Sequence, residues 1–240
     1  MTTDEKFYRT ELLLGAAAME RLRCSTVAIF GLGGVGSYAA EALARTGVGH
    51  LVLIDHDVVD VTNINRQLHA TTKTVGQSKT VLMKVRISEI NPSAKIDVID
   101  GFYLPSNGAD DVADKFFIDK YDCVVDAIDT IGGKIGLAVE CERRGIALVS
   151  SMGAGNKLDP TAFRTGDIFE TTVDPIAKVM RKKLKEVGIK KLRVVYSTEP
   201  PIHLNSTVER KVIGSVSFVP SVAGLILAGE AIKLLVRDLA

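Results

Sequence analysis

Cysteine is scarce in this 240-residue chain, and the positions of its cysteines exclude two kinds of structural site. The three cysteines, Cys24, Cys123 and Cys141, are too far apart to form a C-x-x-C pair. Neither a disulfide framework nor a zinc ribbon is therefore indicated. Because unpaired thiols are typical of a reducing compartment, we expect the protein to be cytoplasmic.

The sequence gives little indication of a leader sequence or of a membrane-spanning helix. The first ten residues are too polar for a signal peptide. Residues 212–229 carry no charge and reach the lower length limit for a spanning helix, which leaves a membrane anchor as an alternative. Pro220 lies within this run, so we predict a buried strand ending near Val219, then a buried helix starting at Pro220. No stable membrane insertion is expected.

The chain has almost no net charge, but its charges are unevenly distributed. The formal net charge is +1, whereas residues 178–193 contain eight basic side chains and one acidic side chain. This segment is either a solvated helix face or a surface for a polyanion such as RNA. Charge alone does not decide between the two.

Apolar runs alternate with amphipathic segments along the first 150 residues, which predicts an α/β fold. Helix 11–24 is expected to bury Leu12, Ala16, Met19 and Leu22, and helix 77–90 to bury Val81, Leu82, Val85 and Ile90. Alternating strands and helices form right-handed crossovers and a mostly parallel, Rossmann-like sheet flanked by helices. The predicted strands are 26–30, 50–55, 95–100, 123–129 and 146–151, and the other predicted helices are 34–46 and 134–144.

We expect one domain, residues 1–240, with three parts. Residues 1–152 form a nucleotide-binding core, and residues 153–212 are a basic insertion that decorates the sheet. Residues 213–240 return to the core as a strand and a helix.

A glycine-rich turn follows the first predicted strand. Gly31, Gly33 and Gly36 fit G-x-G-x-x-G, and Gly34 lies between them. Such glycines permit a tight turn and let phosphate approach the backbone at a helix N-terminus. Asp55, 19 residues after Gly36, is suited to accept bonds from a ribose. These features do not separate NAD from ATP, and the glycines could also serve packing alone.

The segment after the second predicted strand is polar. It contains Asp55, Asp57, Asn63, Arg66 and Gln67, whereas a nicotinamide enzyme needs a flat apolar slot there. Asn63 and Arg66 have the chemistry of triphosphate donors, because a guanidinium fork suits phosphate oxygens. A nucleotide triphosphate is therefore favoured over NAD.

Two further charged residues are expected beside a triphosphate. Lys79 starts a predicted helix, from which its ammonium could reach a β- or γ-phosphate. Asp129 ends the fourth predicted strand, where a carboxylate could hold Mg²⁺ against substrate phosphates. Each residue alone is commonly a surface charge, but their joint placement at strand ends favours the ligand interpretation.

Several segments together resemble the adenylating family of ubiquitin-activating enzymes and their bacterial relatives. The segments are GLGGVGS, LIDHDVVDVTNINRQ, VGQSK, INP and VVDAIDT, in this order, within roughly residues 7–152. The resemblance implies a homodimer in which a substrate carboxylate attacks the α-phosphate of ATP. It also implies that Asp55 holds the ribose, that Asn63, Arg66 and Lys79 hold the phosphates, and that Asp129 holds Mg²⁺.

One arginine is expected to act between subunits. Arg9 matches an arginine that family members donate into the neighbouring site, where it would stabilise developing charge together with Arg66, Lys79 and Asp129. An exposed cation at a helix start is the alternative for Arg9.

The chain departs from most of this family in lacking a thiol for covalent relay. No cysteine follows Cys141, and Cys123 and Cys141 have the setting of buried, inert thiols. The zinc-binding C-x-x-C pairs of the sulfur-carrier-activating relatives are also absent. The adenylate must therefore pass directly to an acceptor.

One branch of the family fits this departure. Residues 151–161, 174–185 and 194–201 resemble the branch that acts on threonylcarbamoyladenosine in tRNA, where a carbamoyl atom closes a ring and displaces AMP. The resemblance implies ATP, Mg²⁺ and modified tRNA as ligands, and it allows a sulfur-transfer protein as a partner. The expected tRNA contacts are Lys178, Arg181, Lys182, Lys183 and Lys185.

Three alternatives stay open at this point. The chain could adenylate the C-terminal Gly-Gly of a sulfur-carrier protein, although the absent C-x-x-C pairs and the basic insertion disfavour this. It could be an NAD-linked oxidoreductase, which the polar segment after the second strand disfavours. It could also be a non-catalytic tRNA-binding scaffold that retains a nucleotide site.

Overall fold

The computed structural model describes residues 4–105, 113–118, 120–202 and 213–239, and seven strands and seven α-helices lie within them. The strands are β1 (Thr26–Phe30), β2 (His50–Asp55), β3 (Lys95–Asp100), β4 (Cys123–Asp126), β5 (Ala147–Ser151), β6 (Phe163–Asp167) and β7 (Arg193–Ser197). The helices are α1 (Tyr8–Leu14), α2 (Ala16–Cys24), α3 (Gly36–Thr46), α4 (Lys79–Ile90), α5 (Ile131–Arg144), α6 (Pro175–Glu186) and α7 (Phe218–Val236).

The strands form one sheet in the order β3-β2-β1-β4-β5-β7-β6. All neighbouring pairs are parallel except β6 and β7, which are antiparallel. The chain moves outward in one direction from β1 and then returns to β4 on its other side. A crevice therefore opens at the carboxyl ends of β1 and β4, which is where open α/β sheets bind ligands.

Apolar side chains cover both faces of the sheet. Along β1, Val27 and Ile29 pack with α3, α4 and α7, whereas Ala28 and Phe30 face the other side, which α5 and α6 cover. Strands that are buried on both faces need continuous apolar sequence, and this explains the unbroken runs that identified them. The expected mostly parallel, Rossmann-like α/β fold is confirmed.

Helix α7 is the longest apolar element, and its start differs from the prediction. The described residues 213–217 form no strand, and the helix already begins at Phe218, two residues before Pro220. The helix packs closely on α3, since a Cβ on Gly224 would lie 2.2 Å from the Val35 carbonyl oxygen. Residues 218–239 are long and apolar enough to cross a membrane, but 56% of the apolar window is buried, as in a core helix.

The predicted helix 11–24 is interrupted. Gly15 has a φ of +81° and separates α1 from α2, a backbone conformation that glycine adopts without strain. As a result α1 turns away from the core, and Leu12, which was expected to be buried, is 67% exposed.

The predicted buried face of α4 is also wrong. Val81 and Val85 are more than half exposed, whereas Met83 and Ile87 are fully buried. The sequence contains two apolar stripes at helical spacing, and periodicity alone cannot choose between them. The Ser78 hydroxyl, which caps the helix at Val81, fixes where the helix begins.

The described part of residues 153–212 does more than decorate the sheet. It supplies β6, α6 and β7, and β7 pairs with β5 as a continuation of the parallel order. Residues 203–212 lie outside the described residues. No strand was predicted in this region because Asp, Thr, Lys and Pro are frequent there.

Candidate active site

The carboxyl ends of β1, β2, β4 and β5 border a cleft of about 560 Å³. Most of the residues expected to bind ligand line it, although they come from separate loops and helices. The predicted residues in the lining are Gly31, Gly33, Gly34, Asp55, Asp57, Asn63, Arg66, Gln67, Lys79 and Asp129.

The glycine turn is built by close backbone approach. Gly31 has a φ of +87°, and its N–H donates to the Ile54 carbonyl oxygen at 2.8 Å. A Cβ on Gly36 would lie 1.7 Å from the Gly31 carbonyl oxygen, so this position excludes any side chain. Gly33 is different, because the nearest atom to a Cβ there is Gln67 Nε2, at 3.8 Å. Gly36 therefore shapes the turn, whereas Gly33 leaves space in the cleft.

Asp55 is fixed at the end of β2 by backbone donors. Its Oδ2 accepts from the Leu32 N–H at 2.6 Å, and its Oδ1 accepts from the Asp57 N–H at 2.9 Å. The carboxylate thus joins the glycine turn to the loop after β2. Each oxygen has a second lone pair, which suits it to accept a hydroxyl group of a ligand.

Lys79 lies in the cleft wall at the first position of α4. Its ammonium is 2.7 Å from Asp57 Oδ2, and its side chain is 5% exposed, whereas that of Asp57 is 48% exposed. The pair is therefore open to the cleft on the Asp57 side. Because Lys79 is otherwise buried, its ammonium can contact a ligand only from the side of the cleft.

Three polar residues after β2 form another part of the wall. Asn63 is buried, and its Oδ1 accepts from the Asp60 N–H at 3.2 Å. Arg66 donates through Nη1 to the Thr62 carbonyl oxygen at 3.0 Å, which orients the guanidinium at the rim. Gln67 is buried, and its Oε1 has no hydrogen-bond partner among the described residues. A buried carbonyl oxygen without a partner in a cleft wall is suited to accept from a ligand.

Asp129 lies beyond the strand that was expected to carry it. β4 ends at Asp126, and Asp129 is exposed three residues later in the loop that follows. The strand stops because Asp126 Oδ1 accepts from the Ile128 N–H at 3.2 Å, which turns the chain. Asp129 therefore lies at the mouth of the cleft rather than at the end of a strand.

A buried ion pair beneath this loop was missed from the sequence. The Lys134 ammonium is 3.1 Å from both Asp126 oxygens and 2.7 Å from the Ser151 carbonyl oxygen. Ser150 Oγ also donates to Asp126. The pair holds the loops after β4 and β5 together under the cleft. The one sequence signal was a carboxylate inside an otherwise apolar strand.

Two histidines near the cleft have opposite environments. His69 is buried, and neither ring nitrogen has a hydrogen-bond partner among the described residues. Burial, aided by the nearby charge of Lys79, lowers the pKa of His69 to about 4, so the ring is neutral at pH 7. His56 is half exposed at the rim, with its ring 4.7 Å from that of Phe102.

The cysteines in the interior are poor nucleophiles, as expected. Cys123 and Cys141 are buried in the two faces of the core. Burial raises the pKa of the Cys123 thiol to about 12 and that of Cys141 also far above its usual value. Both side chains are therefore packing residues.

Arg9 is exposed on α1 and is not part of the cleft lining in its own chain. The basic residues of α6 also lie outside the lining, although Ile176 in the first turn of this helix borders the cleft. Lys178, Lys182, Lys183 and Lys185 are exposed. Arg181 is partly buried, because its Nη1 donates to the Thr171 carbonyl oxygen at 2.9 Å.

Comparison with known proteins places this chain in a family. Residues 8–239 match the ThiF family. The chain belongs to the ThiF family. Among ThiF-family relatives, the tRNA threonylcarbamoyladenosine dehydratase of Bacillus subtilis is 49% identical over 98% of this chain and 96% of its own length. The dehydratase of Escherichia coli is 40% identical over 84% of this chain and 76% of its own length.

Solved structures extend the similarity to three dimensions. Crystal structures of the E. coli tRNA N6-threonylcarbamoyladenosine dehydratase, TcdA, in complex with AMP and with ATP each match with a TM-score of 0.89. Each is 34% identical and covers 100% of this chain and 98% of its own. The E. coli protein MccB in complex with ATP has a TM-score of 0.65 at 19% identity, which is a likeness of fold alone.

Proposed function

We propose that this chain is an ATP-dependent tRNA threonylcarbamoyladenosine dehydratase. The observation that carries the proposal is the similarity over 98% of the chain to the B. subtilis protein of that name. The cleft agrees with it, because a glycine turn, a ribose-suited carboxylate and buried cationic charge all border one cavity. The whole chain acts as one adenylating domain, with residues 1–152 as the nucleotide-binding core.

The reaction has two steps. An oxygen of the threonyl carboxylate forms a bond to the α-phosphorus of ATP, and the bond to pyrophosphate breaks. An atom of the carbamoyl group then attacks the acyl carbon, the carbamoyl group loses a proton, and AMP leaves with one former carboxylate oxygen. The modified base has lost one water molecule in total. Because the attack is intramolecular, the high effective concentration replaces an enzyme thiol.

The cleft geometry supports an assignment of the residues that would hold ATP. Gly31 shapes the turn, because its N–H is already bonded to the Ile54 carbonyl oxygen, and the residues from Gly33 to the start of α3 would present N–H groups to the phosphates. Asp55 accepts from the ribose. Lys79 and Arg66 supply cationic charge to the phosphates, and Asn63 and Gln67 contribute polar contacts. Lys79 must exchange Asp57 for a phosphate, so Asp57 sets how readily the ammonium binds.

Asp129 is the residue that would hold Mg²⁺. Its carboxylate is exposed in the cleft lining, and oxygen donors of this kind are those that Mg²⁺ prefers. When bound, the ion supplies neutralising charge to the pyrophosphate that leaves. The contribution of the protein is to place one carboxylate at the mouth of the cleft.

A homodimer is supported by the surface of α1. Leu12 and Leu13 on this short helix are 67% and 87% exposed, and Tyr8 is 54% exposed. Exposed apolar groups of this size, clustered beside Arg9, favour burial against a second copy of the chain. Arg9 would then enter the neighbouring cleft, since it does not line its own.

Helix α6 is the proposed tRNA-binding face. Lys178, Lys182, Lys183 and Lys185 present cationic charge to the phosphate backbone, which positions the substrate without reading its sequence. Arg181 also belongs to this face, although its bonds to Thr171 give it a structural role. The protein would meet its tRNA in the cytoplasm.

The decisive experiment uses the full chain with ATP, Mg²⁺ and two tRNA preparations. One preparation carries threonylcarbamoyladenosine, and the other is transcribed without modification. We expect pyrophosphate, AMP and a nucleoside lighter by one water molecule with the modified tRNA alone. Absence of all three products contradicts the proposal, and pyrophosphate exchange with sulfur-carrier proteins alone would favour the adenylyltransferase alternative.

A further inference from the structure

One buried carboxylate connects the basic helix to the wall of the cleft. Asp174, which is 1% exposed, precedes α6, and its Oδ1 accepts from the Ala177 N–H at 3.0 Å. This bond caps the helix. Its other oxygen, Oδ2, accepts from the Gly153 N–H at 3.1 Å. A single side chain therefore joins the first turn of α6 to the segment that follows β5.

The segment that Asp174 holds is part of the cleft. Gly153, Ala154 and Gly155 line it, as does Ile176 in the first turn of α6. A Cβ on Gly153 would lie 3.3 Å from Asp174 Oδ2 and 3.3 Å from Ile176 Cγ1. The space between them barely admits a methyl group, and the Gly153–Asp174 hydrogen bond links the first turn of α6 to this wall.

The other end of the same wall is anchored to the core. The Ser151 carbonyl oxygen accepts from Lys134, and the Met152 N–H donates to the Val195 carbonyl oxygen at 2.8 Å. Lys134 in turn holds Asp126, whose Oδ1 fixes the loop that leads to Asp129. A displacement of Asp174 would therefore move the Gly153 end of the wall, whereas the end at Ser151 and Met152 stays anchored to the core.

The turn before α6 contains an unusual backbone conformation. Val173 has a φ of +64°, which a β-branched residue rarely adopts. Its neighbour Asp174 donates through its N–H to the Thr172 carbonyl oxygen at 2.6 Å. Strain of this kind persists where the surrounding structure imposes it, and it is common at functional turns.

We propose that Asp174 is a positioning residue that couples tRNA bound on α6 to the nucleotide cleft. This inference rests on the proposed function. Exposed lysines on α6 bind RNA phosphates. The helix is about 18 Å long, and a displacement caused by this binding is transmitted along it to its capped end. Asp174 then moves the Gly153 wall, which changes the affinity for ATP. Because coupling of binding is reciprocal, ATP changes the affinity for tRNA by the same factor.

The test is a coupling measurement on Asp174→Ser. Serine retains the cap of α6 but is too short to reach Gly153 as well. The affinity for Mg²⁺ and α,β-methylene-ATP is measured with and without saturating modified tRNA. In the wild type we expect tRNA to change this affinity at least about fivefold. In Asp174→Ser we expect each ligand alone to bind as in the wild type, and the coupling factor to fall to near one.

Two further variants make the result specific. Asp159→Ser removes the carboxylate of another capping aspartate, which is exposed and bonds the Thr161 N–H, and it should leave the coupling unchanged. Asp174→Asn keeps the size and the cap but directs an amide N–H₂ at the Gly153 N–H. It should also lose the coupling, and it replaces Asp174→Ser if the serine variant does not fold.

The outcomes separate this inference from the proposed function. Equal coupling in the wild type and in both Asp174 variants would overturn the inference, as would the absence of coupling in the wild type. If the wild type still forms AMP from modified tRNA, the proposed function stands in either case. If it forms none, the proposed function itself has failed.

Discussion

The ammonium of Lys79 and the carboxylate of Asp57 lie 2.7 Å apart, with the lysine enclosed and the aspartate facing the cleft. In the proposed ATP site, a phosphate would compete with Asp57 for the same ammonium. Asp57 thereby pairs with a cation that lies in a desolvated wall. A buried cation without such a partner would cost free energy of folding.

Replacement of this cation should affect catalysis more than folding. We expect Lys79→Met to lower kcat/KM for ATP by about 10²–10³-fold, because a preorganised charge at the phosphates is lost. The measurement is AMP release from modified tRNA. Lys84→Met, on the exposed side of the same helix, is the matched control and should leave the rate unchanged. Equal rates of AMP release in both variants would contradict the assignment of Lys79 to the ATP site.

Two glycines in the turn should respond differently to alanine. A Cβ on Gly36 would collide with the Gly31 carbonyl oxygen, so Gly36→Ala should lower the free energy of unfolding by about 3 kcal/mol or more. Gly33→Ala has space for the methyl group and should fold normally but bind ATP more weakly. Urea denaturation and nucleotide titration measure the two effects. Similar stability of the two variants would show that the turn relaxes easily.

The buried Lys134–Asp126 pair should be costly to break and cheaper to replace. Lys134→Met leaves a carboxylate in the interior and should lower the free energy of unfolding by about 3–5 kcal/mol. Adding Asp126→Asn removes that charge, and part of the stability should return. A double-mutant cycle in urea measures the difference. Additive losses would mean that the two side chains do not interact.

His69 predicts a pH dependence of stability. Because its pKa is lowered to about 4 in the folded state, protonation favours the unfolded chain, and stability should fall as pH decreases from about 6.5 toward 4. The contribution of this one group is about 3 kcal/mol at the acid end. It should be absent in His69→Leu and retained in His56→Gln, in urea titrations across this range. Parallel pH profiles for all three proteins would contradict it.

Arg9 should act on the neighbouring subunit. We expect Arg9→Ala and Asp129→Ala each to be inactive as homodimers. Refolding an equal mixture should restore about a quarter of the wild-type rate, because half of the dimers are mixed and each has one intact site. No recovery, together with mixed dimers visible by native mass spectrometry, would place Arg9 and Asp129 in the same chain's site.

Local sequence patterns predicted much of the fold and of the candidate site. β1, β2 and β3 were predicted with their observed bounds. Apolar runs identified β1 and β2, which are buried on both faces, whereas β3 lies at the edge of the sheet and buries only Ile96. The glycine turn and the polar segment after β2 could also be read directly, since their residues are close in sequence.

Non-local relationships could not be read in the same way. The partner of Asp126 is Lys134. This lysine lies on a helix of ordinary composition, so nothing in the sequence marks it, and only the fold brings the two side chains together. The buried face of α4 depends on where its cap lies, and the joint between Gly153 and Asp174 spans two separate segments. These are the features that most affect the walls of the cleft.

Helix α7 has a consequence for how the protein is made. It closes the hydrophobic face that α3 and the first strands leave open, yet the ribosome synthesises it after all of them. The early segments must therefore wait with apolar surface uncovered, a condition that invites association with chaperones or with other nascent chains. Folding of this face of the sheet ends only after α7 has been synthesised.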